Sequence, residues 1–296
     1  MSLIGTGSLA ARLTKGRALL MPGVANPLSA LIAADIGFEA LYITGAGVSN
    51  FNLGLPDIGL ITPNDLVDVT MAISAVVDLP LLVDADTGFG NAVNAYHVVR
   101  RLEAAGAAAI QLEDQVFPKK CGHFEGKAVI PTGEMVDKIK AAVDARRNAS
   151  TAIVARTDVR AIDGFEAAIE RAHAYHAAGA DILFVEALTS SDEVLAAPAR
   201  IGDVPQIINI VFGGKTPPLP LQALADAGYA IALYANAALQ SAIFAMQRVL
   251  GSLHATGSLA DVQHMLADFG ERQRLVKKDE FDALEARYAP KDDRLA

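Results

Sequence analysis

The chain has 296 residues, of which 52% are hydrophobic, and its formal net charge at pH 7 is −9. The acidic balance and the lack of any dense Lys/Arg run exclude a nucleic-acid partner. The single cysteine, Cys121, excludes an intrachain disulfide framework and is typical of a reducing compartment, so we expect a cytoplasmic protein.

Short apolar runs alternate with longer alanine-rich runs along most of the chain. The apolar runs predict eight strands, at 18–23, 40–45, 79–86, 108–114, 152–158, 182–187, 205–211 and 231–235. The runs between them predict helices at 64–77, 91–105, 132–147, 163–178, 190–200 and 219–227, with Thr62 and Thr132 as helix caps. Apolar strands without alternation, separated by helices, are typical of a parallel sheet buried on both faces. Eight such units predict a closed (β/α)8 TIM barrel, and the absence of GxGxxG after the first strand weighs against a dinucleotide-binding open sheet.

Residues 227–247 contain no charged side chain and are long enough to span a bilayer. Polar residues such as Tyr234, Asn236 and Gln240 interrupt this run, so we interpret it as a buried strand, a cap at Asn236 and a helix, with no membrane span. The barrel is then predicted to occupy residues 1–255. Residues 256–296 are predicted to form a charged helical extension of the same domain that packs on a neighbouring subunit.

Polar side chains follow the predicted strands at their carboxyl ends, where the active sites of such barrels lie. A single Asp after a strand is commonly a turn residue, but functional groups after six successive strands indicate an active site. These residues are Tyr42 and Thr44, Asp84 and Asp86, Glu113 and Asp114, Arg156 and Asp158, Glu186, and Asn209.

The carboxylates of this set predict a metal site. Asp84, Asp86 and Glu113 are hard oxygen donors that suit Mg2+ or Mn2+, with some of them acting through bound water. No His/Cys cluster has zinc spacing. Arg156 is predicted to bind a substrate carboxylate, and an internal ion pair with Glu186 or Asp158 is an alternative that is compatible with this role.

The cysteine lies in the segment "EDQVFPKKCGHFEGKAV", residues 113–129. Lys119, Lys120 and His123 are cationic neighbours that favour the thiolate of Cys121. Gly122 permits an unusual backbone angle, and the length of the loop is typical of an active-site lid. We therefore predict an acid/base cysteine on a lid. The alternative is a surface cysteine in a basic loop.

Seven segments together resemble the isocitrate lyase/phosphoenolpyruvate mutase superfamily. They are "GLPDIGLIT" (54–62), "LLVDADTGFG" (81–90), "LEDQ" (112–115), "KKCGH" (119–123), "VARTD" (154–158), "FVEA" (184–187) and "GGKTP" (213–217). The resemblance implies a Mg2+-dependent (β/α)8 barrel that assembles as a homotetramer, with its last helix swapped between subunits.

The resemblance also implies roles for individual residues. Asp84 would be the metal ligand, with Asp57, Asp86 and Glu113 holding metal-bound waters. Thr44, Gly45 and Ala46 would hold the 2-oxo acid part of a small carboxylate substrate. The remaining residues predicted to bind substrate are Gly122, Arg156, Glu186, Asn209 and Thr216.

The cysteine loop and the chain length resemble the short lyase branch, whose members cleave methylisocitrate or 2,3-dimethylmalate. Methylisocitrate lyases carry an arginine where this chain has Gln240, and another near residues 269–270. Because a buried carboxylate without a cation is costly, we expect a dicarboxylic substituted malate as substrate. Alternatives on the same fold are an oxaloacetate hydrolase or decarboxylase, a phosphonate-processing enzyme, and a non-catalytic metabolite-binding barrel.

The expected reaction breaks a carbon–carbon bond of a 2-hydroxy dicarboxylate. Tyr42 is the predicted base for the hydroxyl proton, and Cys121 is predicted to protonate the departing enolate-like fragment. Arg156, Lys119 and His123 would stabilise the developing negative charge.

Overall fold

A computed structural model describes residues 7–120 and 126–289 of the chain. Eight parallel strands follow one another around a closed barrel, and the last strand pairs with the first. The strands are β1 (Leu19–Val24), β2 (Leu41–Ile43), β3 (Leu81–Asp84), β4 (Ala109–Glu113), β5 (Ala152–Thr157), β6 (Ile182–Val185), β7 (Gln206–Asn209) and β8 (Ile231–Tyr234). The predicted (β/α)8 barrel is therefore confirmed, and each predicted strand overlaps an observed one.

Helices connect the strands, and further helices follow the barrel. They are α1 (Pro27–Ile36), α2 (Gly45–Gly47), α3 (Pro63–Ser74), α4 (Ala92–Ala104), α5 (Thr132–Ala145), α6 (Arg160–Asp163), α7 (Phe165–Ala177), α8 (Ser191–Ile201), α9 (Leu221–Ala227), α10 (Ala237–Thr256), α11 (Phe269–Leu275) and α12 (Lys278–Tyr288). The predicted helices are confirmed to within a few residues at each end. Helix α1 and the short helices α2 and α6 have no counterpart among them.

The starts of α3 and α5 test the two helix caps that the sequence predicts. Thr62 caps α3 in a reciprocal capping box with Asp65, and Pro63 takes the first helical position. The prediction for Thr132 was wrong, because Thr132 is the first residue of α5 and Pro131 precedes it without a side-chain cap.

The uncharged run near the end of the barrel forms β8 and the start of α10, as predicted. No helix within the described part of the chain is long and apolar enough to cross a membrane. Asn236 lies between the two elements, but its Oδ1 has no hydrogen-bond partner. The side chain is therefore placed where a cap was expected, and this oxygen does not act as one.

Side chains alternate along each strand, so that one set packs against the helices and the other points into the barrel interior, where the site lies. On β4, Ile110 and Leu112 pack in the cluster that includes helix residues, whereas Gln111 and Glu113 lie on the other face. The barrel interior is filled below the site by side chains such as Met21, Leu82, Val154, Phe184 and Leu233. Because Asp84 follows Leu82 by two residues, its carboxylate points into the same interior at the strand's end.

The chain divides into two compact units, residues 1–240 and 241–296. The first contains all eight strands. The second is helical and exposes large apolar side chains, among them Phe244, Phe269 and Phe281. Helices α11 and α12 lie within the predicted extension, 256–296, whereas its boundary and its exchange between subunits stay predictions.

Candidate active site

A small cavity of about 30 Å³ lies at the carboxyl end of the barrel. This is space for about one water molecule or a little more. Its walls come from the ends of β2, β3 and β5 to β8 and from the loops beside them. The lining residues are Tyr42, Thr44, Ala46, Asp57, Asp84, Lys119, Arg156, Glu186, Asn209, Ala235 and Asn236. The structure therefore brings together nine of the residues that the sequence singled out.

One of the two carboxylate oxygens of Asp84 is fixed by hydrogen bonds. Its Oδ1 accepts hydrogen bonds from Gln111 Nε2 at 3.0 Å and from the Asp86 backbone N–H at 3.2 Å. A Cβ at Gly45 would lie 3.4 Å from Asp84 Oδ2 and 3.1 Å from Asp86 Oδ1. Gly45 therefore leaves room for the two carboxylates, and Asp84 Oδ2 is on the side away from the Gln111 contact.

Sequence reasoning did not identify Gln111 as part of the site. The side chain also accepts a hydrogen bond from the Tyr42 hydroxyl at 3.2 Å, so it connects Tyr42 to Asp84. The period of two along β4 is the signal that could have found it, because Gln111 precedes Glu113 by two residues.

Asp86 and Glu113 are buried carboxylates with few compensating contacts. Oδ2 of Asp86 and Oε1 of Glu113 lack a hydrogen-bond partner, whereas Oδ1 of Asp86 lies 2.9 Å from the Lys119 ammonium. Burial raises the pKa of Asp86 to about 7, against the opposing pull of the Lys119 ammonium. Burial also raises the pKa of Glu113 well above its usual range, although Arg156 opposes the shift. Asp86 adopts a left-handed backbone angle, φ 47°, which is uncommon for a residue other than glycine.

These residues fit a hard divalent cation. Asp57, Asp84, Asp86 and Glu113 supply only carboxylate oxygens, and Asp86 Oδ2 and Glu113 Oε1, which have no hydrogen-bond partner, are available to receive a metal or its waters. Within residues 7–120 and 126–289, no three His, Cys, Asp or Glu side chains already converge as a ready-made metal site. A magnesium ion commonly keeps several waters, so one direct carboxylate with others reached through water is consistent with both observations.

Lys119 places its ammonium among these carboxylates. Nζ lies 2.5 Å from Asp57 Oδ1 and 2.9 Å from Asp86 Oδ1, and the side chain is buried. Burial disfavours the charged form, but Asp86 and Glu113 outweigh it and hold the pKa of Lys119 well above its usual value. The sequence placed this lysine beside Cys121. That role stays a prediction, because Cys121, Gly122 and His123 lie outside the described residues.

Arg156 is buried and held by acidic groups. Nε and Nη2 donate to the two carboxylate oxygens of Asp158 at 2.9 and 3.1 Å. Nη1 lies 3.3 Å from Glu113 Oε2, and Nη2 lies 3.6 Å from Glu186 Oε2. Burial opposes the charge of Arg156, yet Asp158 and Glu113 raise its pKa well above the usual value. The internal ion pairs are therefore present, and the same guanidinium also lines the cavity.

Tyr42 reaches the cavity as a neutral phenol. Burial, assisted by the nearby charge of Asp84, raises its pKa well above the ordinary value. A phenol in this state donates hydrogen bonds and ionises with difficulty, which weighs against the predicted base role. That role stays a prediction.

Two amides face the cavity from neighbouring strand ends. Asn209 Nδ2 donates to Glu186 Oε2 at 3.4 Å, whereas Asn209 Oδ1 has no partner. Asn236 Oδ1 is likewise buried without a partner. Sequence reasoning missed Asn236 as a cavity residue because the position also matched a helix cap. Thr216 is buried but is not among the residues that line the cavity.

Asp114 follows Glu113 along the chain but serves another purpose. Its carboxylate accepts hydrogen bonds from Thr157 Oγ1 and Tyr175 OH, both at 2.7 Å, and from Arg171 Nη1 at 2.9 Å. The Asp158 backbone N–H donates to the other carboxylate oxygen of Asp114 at 2.9 Å. This side chain therefore fastens β4 to β5 and α7.

An eight-stranded α/β barrel that gathers carboxylates, a buried arginine and two amides around one small cavity defines an enzyme class that acts on small anions. Comparison with known proteins narrows this class. The sequence model of the phosphoenolpyruvate phosphomutase family matches residues 9–254. The chain belongs to the PEP mutase/isocitrate lyase superfamily.

Individual relatives cover nearly the whole chain. A 2-methylisocitrate lyase from Aeropyrum pernix is 45% identical over 94% of this chain and 89% of its own length. A 2,3-dimethylmalate lyase from Eubacterium barkeri is 40% identical over 94% of this chain and 96% of its own. The solved structure of a phosphonopyruvate hydrolase with oxalate and Mg2+ covers 98% of this chain and 100% of its own, at 31% identity and a TM-score of 0.87.

Proposed function

We propose that the chain is a Mg2+-dependent carbon–carbon lyase acting on a substituted malate such as 2,3-dimethylmalate. The products would be a 2-oxo acid such as pyruvate and a carboxylic acid. The observation that carries the proposal is that Asp57, Asp84 and Glu186 line one cavity together with Arg156. Relatives named as lyases of methylisocitrate and of 2,3-dimethylmalate support it. Mn2+ would satisfy the same oxygen donors.

The proposed roles are those that the family resemblance implies for these residues. Asp84 would hold the metal directly, while Asp57, Asp86 and Glu113 would bind its waters. Arg156 holds a substrate carboxylate through guanidinium N–H groups. The 2-oxo acid part of the substrate binds at Thr44, Gly45 and Ala46, and Glu186 and Asn209 complete the contacts.

The proposed reaction breaks a carbon–carbon bond, removes a proton from the 2-hydroxyl on one side of it and adds a proton to the fragment that leaves on the other. When bound, Mg2+ lowers the pKa of the substrate's 2-hydroxyl and offsets negative charge on its carboxylate. A base takes the hydroxyl proton, the oxygen lone pair forms the new carbonyl, and the carbon–carbon bond electrons leave with the other fragment. We assign protonation of that fragment to Cys121. Tyr42, as a neutral phenol, is suited to donating a hydrogen bond to a substrate oxygen.

The charges of the cavity favour a dicarboxylate over a tricarboxylate. Among the described residues that line it, Lys119 and Arg156 are the only cations, and Lys119 contacts Asp57 and Asp86. Gln240 has its amide bound to the Phe212 carbonyl at 3.0 Å. A third substrate carboxylate would therefore be desolvated without a cation from this part of the chain.

We also propose that the protein assembles as a homotetramer through its carboxyl-terminal helices. Phe244, Phe269 and Phe281 are each more than half exposed, at 63%, 71% and 64%. Apolar side chains of this size are commonly covered by a partner. Light scattering on the purified protein measures the assembly directly, and a monomer would contradict this part of the proposal.

A panel of acids tests the reaction. The protein, with Mg2+, is incubated separately with 2,3-dimethylmalate, 2-methylisocitrate, oxaloacetate and phosphonopyruvate, and the products are separated and identified. Pyruvate from 2,3-dimethylmalate at the highest kcat/KM is the expected result. Preference for 2-methylisocitrate would overturn the dicarboxylate assignment. Oxalate and acetate from oxaloacetate, or phosphate from phosphonopyruvate, would instead identify a hydrolase.

A further inference from the structure

The carboxylate of Asp158 is shared between two buried cations. One is Arg156, which donates to both of its oxygens. The other is Lys127, whose Nζ lies 2.7 Å from Asp158 Oδ1. The side chains of Lys127 and Asp158 are 2% and 0% exposed, so solvent contributes little to balancing their charges.

The backbone around Lys127 is fixed by its neighbours. Gln115 and Val129 form an antiparallel bridge, and the Val116 N–H donates to the Ala128 carbonyl at 2.8 Å. Asp158 is held as well, because its own N–H donates to Asp114. The ion pair between Lys127 and Asp158 therefore joins two anchored segments 31 residues apart.

The charge balance around Arg156 depends on this lysine. Three carboxylates, those of Glu113, Asp158 and Glu186, lie within 3.6 Å of the guanidinium. A cation surrounded this closely by acidic groups has little attraction left for a further anion. Lys127 offsets one of the three, and it does so from the Asp158 side, where it contacts Oδ1.

We propose that Lys127 is a positioning residue for anion binding: by neutralising Asp158, it keeps the Arg156 guanidinium aligned by Asp158 yet able to attract a ligand carboxylate in the cavity. This inference rests on the proposed role of Arg156 as the carboxylate-binding group. It assigns a function to a residue that the expected reaction does not use.

Oxalate with Mg2+ is the probe, because it requires the anion site but no turnover. Calorimetric titration compares wild-type protein with Lys127→Met, which removes the charge, and Lys127→Arg, which keeps it. Lys140→Met is the matched control, since Lys140 is an exposed lysine on α5 and its loss changes the net charge equally. Thermal unfolding without ligand is measured for every variant.

The expected result is oxalate binding about tenfold weaker in Lys127→Met, which is the effect of removing one nearby unit charge in a partly polar interior. Lys127→Arg and Lys140→Met are expected to bind within about twofold of wild type. With a malate substrate, Lys127→Met should raise KM more than it lowers kcat, because the change weakens anion binding and leaves the proton-transfer groups in place.

A double variant separates charge balance from simple loss of a contact. Lys127→Met/Asp158→Asn removes both charges of the pair and should bind oxalate more tightly than Lys127→Met alone. Equal or weaker binding by the double variant would overturn the proposal. So would wild-type affinity in Lys127→Met, or a loss in Lys127→Arg as large as that in Lys127→Met. If Lys127→Met fails to fold, the double variant must still bind within about tenfold of wild type, and weaker binding counts against the proposal.

The inference and the proposed lyase reaction can fail separately. Wild-type protein that binds oxalate but cleaves no substituted malate would refute the reaction and leave the inference in place. Wild-type protein that cleaves a malate, with Lys127→Met indistinguishable from it, would refute the inference alone. Absence of oxalate binding by wild-type protein with Mg2+ would overturn the carboxylate-binding role of Arg156, on which both depend.

Discussion

Asp114 stabilises the fold, whereas the adjacent Glu113 is proposed to act at the metal site. Isosteric amide substitutions should separate these two roles. We expect Asp114→Asn to destabilise the fold while Glu113→Gln leaves stability unchanged or raises it. The side chain of Asp114 faces Thr157, Arg171 and Tyr175, each of which donates to it. Glu113 lies 3.3 Å from the Arg156 guanidinium and has one oxygen without any hydrogen-bond partner.

The magnitude follows from the contacts. Asn at position 114 keeps the bond from the Asp158 N–H but turns an amide N–H₂ toward three donors. Each charge-assisted hydrogen bond contributes about 1.5–3 kcal/mol, and breaking a buried ion pair costs about 3–5 kcal/mol. Arg171 keeps 13% of its side chain exposed and regains some solvation, so we expect a loss of about 4 kcal/mol in the free energy of unfolding. This lowers Tm by about 8 °C or more.

Glu113→Gln replaces a buried carboxyl group whose pKa is already raised by burial. The Arg156 guanidinium loses one partner at 3.3 Å but keeps Asp158 and Glu186. Replacing a poorly compensated buried carboxylate by a neutral amide is commonly neutral or stabilising. The same change should remove metal-dependent turnover if Glu113 holds a metal-bound water.

Thermal and urea unfolding are measured for both variants in the presence of a chelator, so that metal binding does not contribute. Asp203→Ala is the control for loss of an exposed acid, because Asp203 is 92% exposed and pairs only across the surface with Lys15. A Tm for Asp114→Asn equal to that of wild type would refute the reasoning. So would a larger loss of stability in Glu113→Gln than in Asp114→Asn.

The remaining predictions concern turnover. Cys121→Ser should lower kcat by at least about a hundredfold with little change in KM, as expected when a general acid is replaced; unchanged turnover of every acid in the panel would refute the protonation role. Tyr42→Phe should retain proton transfer and lower kcat/KM by about tenfold, the loss of one hydrogen bond, whereas complete loss of activity would support the base role instead. Gly45→Ala should weaken Mn2+ binding measured by electron paramagnetic resonance, because its Cβ would lie 3.1 Å from Asp86 Oδ1; unchanged affinity would show that the carboxylates move aside. A chelator should abolish turnover, and added Mg2+ should restore it. Full activity without metal would refute the metal assignment.

Sequence patterns predicted the barrel because its signals are local. Each strand is a short apolar run, and each helix is an alanine-rich run with its own start signal, as at Thr62. Strand ends then identified most of the cavity, since parallel strands in a barrel all present their carboxyl ends to one face. Asp84, Arg156 and Asn209 were found in this way, and the structure places them together.

The contacts that hold those side chains were harder to predict. Arg171 meets Asp114 from 57 residues away, and Lys119 meets Asp57 from 62. Neither pairing leaves a periodic signal in the sequence, because each depends on which loop lies over which strand once the barrel has closed. Asn236 shows a different difficulty, since one residue type suits both a helix start and a cavity wall.

The ammonium of Lys119 acts as a built-in counterion for the carboxylates of Asp57 and Asp86. A cluster of carboxylates normally makes folding dependent on the supply of a metal, because the charges repel until a cation arrives. Here a covalently tethered cation already lies 2.5 Å from Asp57 and 2.9 Å from Asp86. If a metal binds here as proposed, its loading would exchange one cation for another in a protein that is already folded.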